Sequence, residues 1–84
     1  MKKIFKALSD DTRREILKLL SKGNLTAGEI ASNFDMSKPS ISKHLDILKE
    51  AELISFEKNG QYVIYSINVT VLQTALGKFL DFFN

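Results

Sequence analysis

Apolar residues recur along most of this chain with the spacing of short helices, whereas one segment near residue 60 alternates with the spacing of strands. Ile4, Phe5 and Leu8 share one face of a short N-terminal helix. Asp10 has the position and chemistry of an N-cap for a second helix. The apolar stripe of that helix consists of Ile16, Leu17, Leu19 and Leu20.

Two further helices joined by a short turn are predicted next. Thr26 and Glu29 have the spacing of a capping box, which indicates where the first of them begins. Ser37 is predicted to cap the second, with Pro39 in its first turn, where the missing N–H costs nothing. The core-facing side of the second helix consists of Ile41, Leu45 and Leu48.

The side of this helix that points away from the core is small, polar and basic. At 100° per residue, the positions opposite the apolar stripe are Lys38, Pro39, Ser42, Lys43 and Asp46, with Ser40 and His44 nearer its edge. An outward helix start of this chemistry, braced by a preceding short helix, fits the major groove of DNA. Backbone N–H groups near Ser37 are also suited to a phosphate.

A β-hairpin is predicted to follow, because the alternating segments LISFEK and YVIYSI flank Asn59-Gly60, a dipeptide typical of two-residue turns. The expected register places Phe56 opposite Val63 and Ile54 opposite Tyr65, with one face consistently apolar. The predicted tip consists of Lys58, Asn59, Gly60 and Gln61. The predicted fold class is therefore mainly α with a two-stranded β-hairpin wing, a winged helix-turn-helix.

A last helix, opened by Asn68 or Thr70, carries more apolar surface than a thin helical core absorbs. Dimerisation through this helix, beside the N-terminal one, is the favoured interpretation. The predicted dimer interface consists of Ile4, Phe5, Leu72, Leu76, Phe79, Leu80 and Phe83. Packing within one chain is the main alternative, and a lipid or small-molecule pocket between paired helices is a weaker one.

Length and composition set the remaining bounds. The 84 residues, 44% of them hydrophobic, predict one folded domain over 1–84. The chain has no cysteine, which excludes disulfides and thiolate metal sites and suits a reducing cytoplasm. No apolar run approaches the roughly 18 residues of a membrane span, and the N-terminus does not have the pattern of a signal peptide. We therefore expect a cytoplasmic protein without membrane insertion.

Charge is distributed unevenly, although the net charge is only +2. From Gln61 onward only Lys78 and Asp81 are charged, and every other basic residue lies at or before Lys58. No nucleophile, base and acid converge in the pattern, so an enzyme is not expected. His44 is the single histidine and has no cysteine partner, which makes it a poor metal ligand and leaves a structural role as well supported as a phosphate contact.

Three strings carry a resemblance to the ArsR-type (ArsR/SmtB) winged-helix repressors of bacteria: FKALSDDTRREILKLL, KPSISKHLDILKEAELI and KNGQYVIYSIN. The resemblance is closest to the SdpR-like branch, in which TAGEIA, SKPSIS and TVLQ also occur. It implies a homodimer whose terminal helices form the interface and which represses transcription by occupying an operator. The partner or signal that releases the DNA stays open.

The resemblance also implies roles for particular residues of this chain. It places base reading on Lys38, Ser40, Ser42 and Lys43 and wing contacts on the hairpin tip. Together with the helix start, the predicted DNA-binding set is Ser37, Lys38, Pro39, Ser40, Ser42, Lys43, His44, Lys58, Asn59, Gly60 and Gln61. Two-fold symmetry predicts an inverted-repeat operator with half-sites about one helical turn, or a multiple of it, apart.

Two departures from the family pattern matter. Asn33-Phe34-Asp35 stands where metal-sensing members carry cysteines, and the last helix contains no histidine. Metal sensing is therefore not carried over, and no metal or cofactor is expected.

Alternatives stay open for some residues and for the function. For Arg13 and Arg14, local pairing with Asp10 or Asp11 is favoured over phosphate contact. The competing function is a winged-helix protein-interaction module that docks a partner through the Phe-rich last helix.

Overall fold

The computed structural model describes residues 2–83 and builds that part of the chain from five helices and three strands. In chain order these are α1 (Lys2–Leu8), α2 (Asp11–Leu20), β1 (Leu25–Thr26), α3 (Ala27–Ala31), α4 (Lys38–Glu50), β2 (Ile54–Asn59), β3 (Tyr62–Ile67) and α5 (Val69–Asp81). The predicted fold class, mainly α with a β-hairpin wing, is confirmed.

The helix starts are set by local capping, as predicted. The Asp10 carboxylate accepts a hydrogen bond from the Arg13 backbone N–H at 3.1 Å. The Thr26 hydroxyl accepts from the Glu29 N–H at 3.1 Å, while the Glu29 carboxylate accepts from the Thr26 N–H at 2.9 Å, so both halves of the capping box form. Of the two candidates for the last helix, Asn68 is the cap.

The core lies where α2, α3 and α4 meet, with the start of β2 closing one side. The largest fully buried side chains are Ile16, Leu20, Ile30, Ile41, Leu45, Leu48 and Leu53. The predicted core face of α4 is therefore confirmed. Leu19, on the predicted apolar stripe of α2, is only half-buried, and so is Phe34, which lies beyond the end of α3.

Helix α4 ends without the glycine that usually marks such a stop. Glu52 takes a left-handed φ of 60°, and its N–H donates to the Lys49 carbonyl at 2.9 Å. The Leu53 N–H then donates to the Leu48 carbonyl at 3.1 Å, which completes a Schellman motif. This turn redirects the chain from the end of α4 into β2.

The sheet contains one more strand than predicted. Strand β1 pairs antiparallel with β3, with Leu25 opposite Tyr65 and Thr26 opposite Ile64, and the strand order is β1-β3-β2. A strand of two residues is too short to show any alternation, so its sequence carries no signal. The pairing anchors the hairpin to the segment that leads into α3.

The predicted hairpin register is wrong by two residues on one strand. Phe56 lies opposite Tyr65 and Ile54 opposite Ile67, because the two-residue turn is Gly60-Gln61 and Asn59 belongs to the ladder. Only the first turn residue has positive φ, +65° at Gly60, which matches the φ signs of a type II′ turn. A shift of two keeps each side chain on its face, so the apolar face survives the error.

The corner between α1 and α2 is held by two arginines. The Arg14 guanidinium pairs with Asp11, as predicted, and donates to the Leu8 carbonyl at 2.6 Å. The prediction is wrong for Arg13, whose side chain is buried and makes no ion pair with either aspartate. Its guanidinium donates instead to backbone carbonyls of α1 and contacts His44.

Candidate nucleic-acid interface

The first two turns of α4 carry the exposed polar surface on which the site is built. The Ser37 hydroxyl accepts from the Ser40 N–H at 3.3 Å and donates to the Ser40 hydroxyl at 2.9 Å. The Ser40 side chain is therefore engaged in the cap and half-buried. The exposed members of the predicted set on this helix are Ser37, Lys38, Pro39, Ser42 and Lys43.

The two lysines on this surface are electrostatically available. Within residues 2–83, neither the Lys38 nor the Lys43 ammonium group forms an ion pair, and no acid occupies the first turn of α4. Asp46, three residues after Lys43 in the same helix, pairs with Lys49 at 3.5 Å. Both ammonium groups are thus free to contact phosphates or base edges.

A groove of about 280 Å³ between α1 and α4 extends this surface. It is lined by Lys3, Lys6 and Lys43 together with Asp46, Ile47 and Glu50. Lys3 lies 3.7 Å from Glu50, but both side chains are about 70% exposed, so the pair contributes little.

His44 is the predicted site residue that the structure draws away from the outward surface. Its side chain is 16% exposed, with the Nδ1 atom 3.1 Å from the Arg13 Nη1 atom and 3.8 Å from the Asp10 carboxylate. Asp10 itself has a lowered pKa, first because its carboxylate accepts the Arg13 backbone N–H and further because Arg13 and His44 lie nearby. No sequence pattern links positions 31 residues apart, so this contact was not predicted.

The hairpin tip is a second exposed polar surface. Lys58, Asn59, Gly60 and Gln61 are all exposed, as a wing requires. Lys58 is the only basic residue in the hairpin, and its ammonium group forms no ion pair within the described residues.

A separate apolar surface covers one side of α1 and α5, and we call it the terminal apolar surface. Its exposed members are Phe5, Leu76, Phe79, Leu80, Phe82 and Phe83. Of the predicted interface residues, Ile4 and Leu72 are half-buried beneath it. Phe82, which directly follows α5 in the chain, is 83% exposed and belongs to the same surface.

The aromatic rings of this surface form a chain. The centroids of Phe5 and Phe79 are 5.7 Å apart, and those of Phe79 and Phe83 are 5.4 Å apart. A groove of about 430 Å³ runs between these rings, with Lys78 at its margin.

Two other kinds of site find no support in the part of the chain that the structure describes. There, no group of three histidine, cysteine or acidic side chains is arranged to hold a metal ion. No helix within residues 2–83 is long and apolar enough to cross a bilayer.

A capped helix with a free basic start, braced by a short helix and followed by a hairpin, defines a winged helix-turn-helix DNA-binding protein. Residues 10–55 match the family described as bacterial regulatory protein, arsR family. The chain belongs to this family, and is accordingly a DNA-binding transcriptional regulator rather than an enzyme.

Individual relatives agree with that assignment. The chain is 56% identical over 84 residues to the transcriptional repressor SdpR of Bacillus subtilis, covering 100% of this chain and 93% of the relative. It is 40% identical over 81 residues to the arsenical resistance operon repressor of Staphylococcus xylosus, covering 96% and 70%. An ArsR-like transcriptional regulator from Rhodococcus sp. RHA1 superposes with a TM-score of 0.90 at 30% identity, covering 96% of this chain and 74% of that one.

Proposed function

We propose that this protein is a homodimeric repressor that binds an inverted-repeat operator. Helix α4 of each protomer enters a major groove, and the hairpin contacts the adjacent backbone or minor groove. Occupation of the promoter then excludes the polymerase. The relatives that are named repressors support this activity.

The observation that carries the DNA assignment is the free basic face of α4. Ser42 and Lys43 lie in the second turn of α4, on the side opposite the buried stripe, and offer a hydroxyl and an ammonium group to base edges. Lys38 lies at the helix start, beside backbone N–H groups that favour phosphate. Lys58 on the hairpin tip is suited to the backbone or minor groove of the flanking duplex.

The terminal apolar surface supports the homodimer. Six large apolar side chains are exposed on α1, on α5 and just after α5, and a small monomer rarely leaves so much apolar area in water. A two-fold axis through this surface would pair it with itself and present two copies of α4 to one duplex. The operator would then contain two half-sites about one helical turn, or a multiple of it, apart.

The experiment compares two lysine variants on a duplex obtained by in vitro selection and on a random duplex. In Lys43→Ala, the ratio of the affinities for the selected and the random duplex is expected to fall by about tenfold to hundredfold, which is the contribution of one base contact. Lys58→Ala is expected to weaken binding to both duplexes and to lower the slope of log K against log salt by about one for each phosphate contact.

Lys18→Ala is the matched control, since Lys18 is exposed on α2 outside both proposed DNA-contacting elements. It should leave both affinities and the slope close to wild type. If Lys43→Ala and Lys58→Ala each lowered the affinity for the selected and the random duplex by the same factor, the base-reading assignment would be wrong. If wild type bound neither duplex in a salt-dependent way, a protein-interaction module would be the better description.

A further inference from the structure

Arg13 is the only buried charged residue in the described range, with 8% of its surface exposed. Its Nε atom donates to the Ala7 carbonyl at 2.9 Å, and its Nη2 atom donates to the Lys6 carbonyl at 2.8 Å. These carbonyls lie in the last turn of α1, where helical partners are missing and a positive charge is favoured by the helix dipole. Arg13 of α2 thus closes the end of α1.

The remaining arm of the same guanidinium reaches α4. Its Nη1 atom lies 3.1 Å from the Nδ1 atom of His44. Because a guanidinium only donates hydrogen bonds, Nδ1 must accept, which requires a neutral imidazole with its proton on Nε2. His44 directly follows Lys43, so the bond attaches to the segment of α4 that is proposed to read bases.

The end of α1 that Arg13 holds is also connected to the terminal apolar surface. Phe5, one residue before the first bonded carbonyl, packs edge-on against Phe79 of α5. One side chain therefore links the helix that carries the proposed dimer surface to the helix that carries the proposed DNA surface. Burial makes this link stiff, because a desolvated guanidinium that loses a partner is costly.

We propose that Arg13 and His44 are positioning residues, which set the orientation of α4 against α1 and so the specificity of DNA binding. The hydrogen bond between Arg13 and His44 forms only while the imidazole is neutral. This inference rests on the proposed function for its effect on DNA, whereas the coupling between the helices does not depend on DNA.

Two charged side chains face the imidazole: Arg13 from α2 and the Asp10 carboxylate at the N-cap of that helix. From α1, Lys6 contributes its carbonyl to Arg13, while its ammonium group lines the groove beside Lys43. Protonation of His44 would place the positively charged imidazolium against the Arg13 guanidinium, and the Nδ1–H group and the Nη1–H group would both be donors with no acceptor between them. The ring would then exchange Arg13 for the Asp10 carboxylate, which lies 3.8 Å away and whose lowered pKa favours its charged form.

The first test measures how the specificity of DNA binding changes with pH. The ratio of the dissociation constants for a random and a selected duplex is measured at fixed salt from pH 8 to pH 5.5, the range in which histidines titrate. Wild type is expected to lose about tenfold of this ratio, the scale of one hydrogen bond to a charged group. Simple charge attraction would instead strengthen binding to both duplexes as the pH falls.

Two substitutions separate positioning from packing. His44→Ala removes the acceptor and should lower the ratio about tenfold at every pH. His44→Asn offers an amide oxygen near the position of Nδ1 but does not titrate, so it should rescue the ratio and abolish its pH dependence. Circular dichroism and urea unfolding check that both variants fold.

NMR of the free protein provides the readout that needs no DNA. In wild type, the pH titration should show the Nε2–H tautomer at high pH and should move amide resonances in the last turn of α1 as well as in the first half of α4. His44→Asn should show neither movement. A titration confined to α4, or an unchanged pH profile in His44→Asn, would overturn the inference. If resonances of both α1 and α4 moved with pH but the protein showed no salt-dependent DNA binding, the coupling between the helices would stand and only the proposed function would be refuted.

Discussion

Replacing Phe83 by aspartate should weaken the proposed dimer. Phe83 lies within the aromatic chain, its ring centroid 5.4 Å from those of both Phe79 and Phe82, and is 71% exposed in the protomer. If the terminal apolar surface is covered by a second copy, each protomer buries this ring against its partner. Aspartate would then place a charge in an apolar interface twice per dimer.

The magnitude follows from the exposed area. A phenylalanine of about 200 Å² that is 71% exposed presents about 140 Å² to a partner. Covering half of that area stabilises the dimer by about 2 kcal/mol per ring at about 25 cal/mol per Å². The two copies together correspond to a rise of at least about a hundredfold in the dimer dissociation constant, before the cost of desolvating the carboxylates is added.

Sedimentation equilibrium over a range of concentrations measures this constant directly. Tyr62→Asp is the matched control, because Tyr62 is an aromatic residue of 58% exposure on the hairpin, outside the terminal apolar surface. It should sediment like wild type. A Phe83→Asp variant with the wild-type dissociation constant, or a wild type that is monomeric throughout, would refute the reasoning.

Two further predictions concern local structure. Gly60→Ala should destabilise the protein by about 1–2 kcal/mol, because Gly60 has a φ of +65° and no neighbour within 4 Å that an added methyl could contact; an unchanged free energy of unfolding in urea would contradict this. Asp10→Asn keeps the N-cap but removes its charge. Since the folded-state pKa of Asp10 is lowered, its charge stabilises above the ordinary value of 3.8 and this contribution is lost as the pH falls through the folded value. Between neutral and acidic pH, the free energy of unfolding in urea should therefore fall more for wild type than for Asp10→Asn. Equal decreases in the two proteins would refute this role of the Asp10 charge.

The helix starts were predictable because each depends on residues within four positions of one another. Asp10, Thr26 and Ser37 each accept an N–H three residues ahead, and that spacing is visible in the sequence. The same holds for the outward face of α4, which follows from its buried stripe. The end of α4 is harder to predict from the sequence, because Glu52 adopts a left-handed conformation that glycine usually adopts at the end of a helix.

The hairpin shows where local signals stop being sufficient. Asn59-Gly60 indicates a turn, but the same glycine serves as either the first or the second turn residue. The choice is consistent with long-range packing: the observed register pairs Phe56 with Tyr65 and brings Ile67 opposite the buried Ile54. Strand β1 likewise exists only because β3 is present to pair with it.

The class of this protein was readable from its residues: capped helices, a hairpin, a basic helix start that faces outward, and a resemblance to the arsR family, to which the chain belongs. The pairing of the strand residues, the burial of Arg13 and its hydrogen bond to His44 became visible only in the folded molecule. The difference lies in how far along the chain each interaction reaches. Caps and periodicity act within a turn or two of chain, whereas a buried guanidinium takes its partners from whichever helices packing brings beside it.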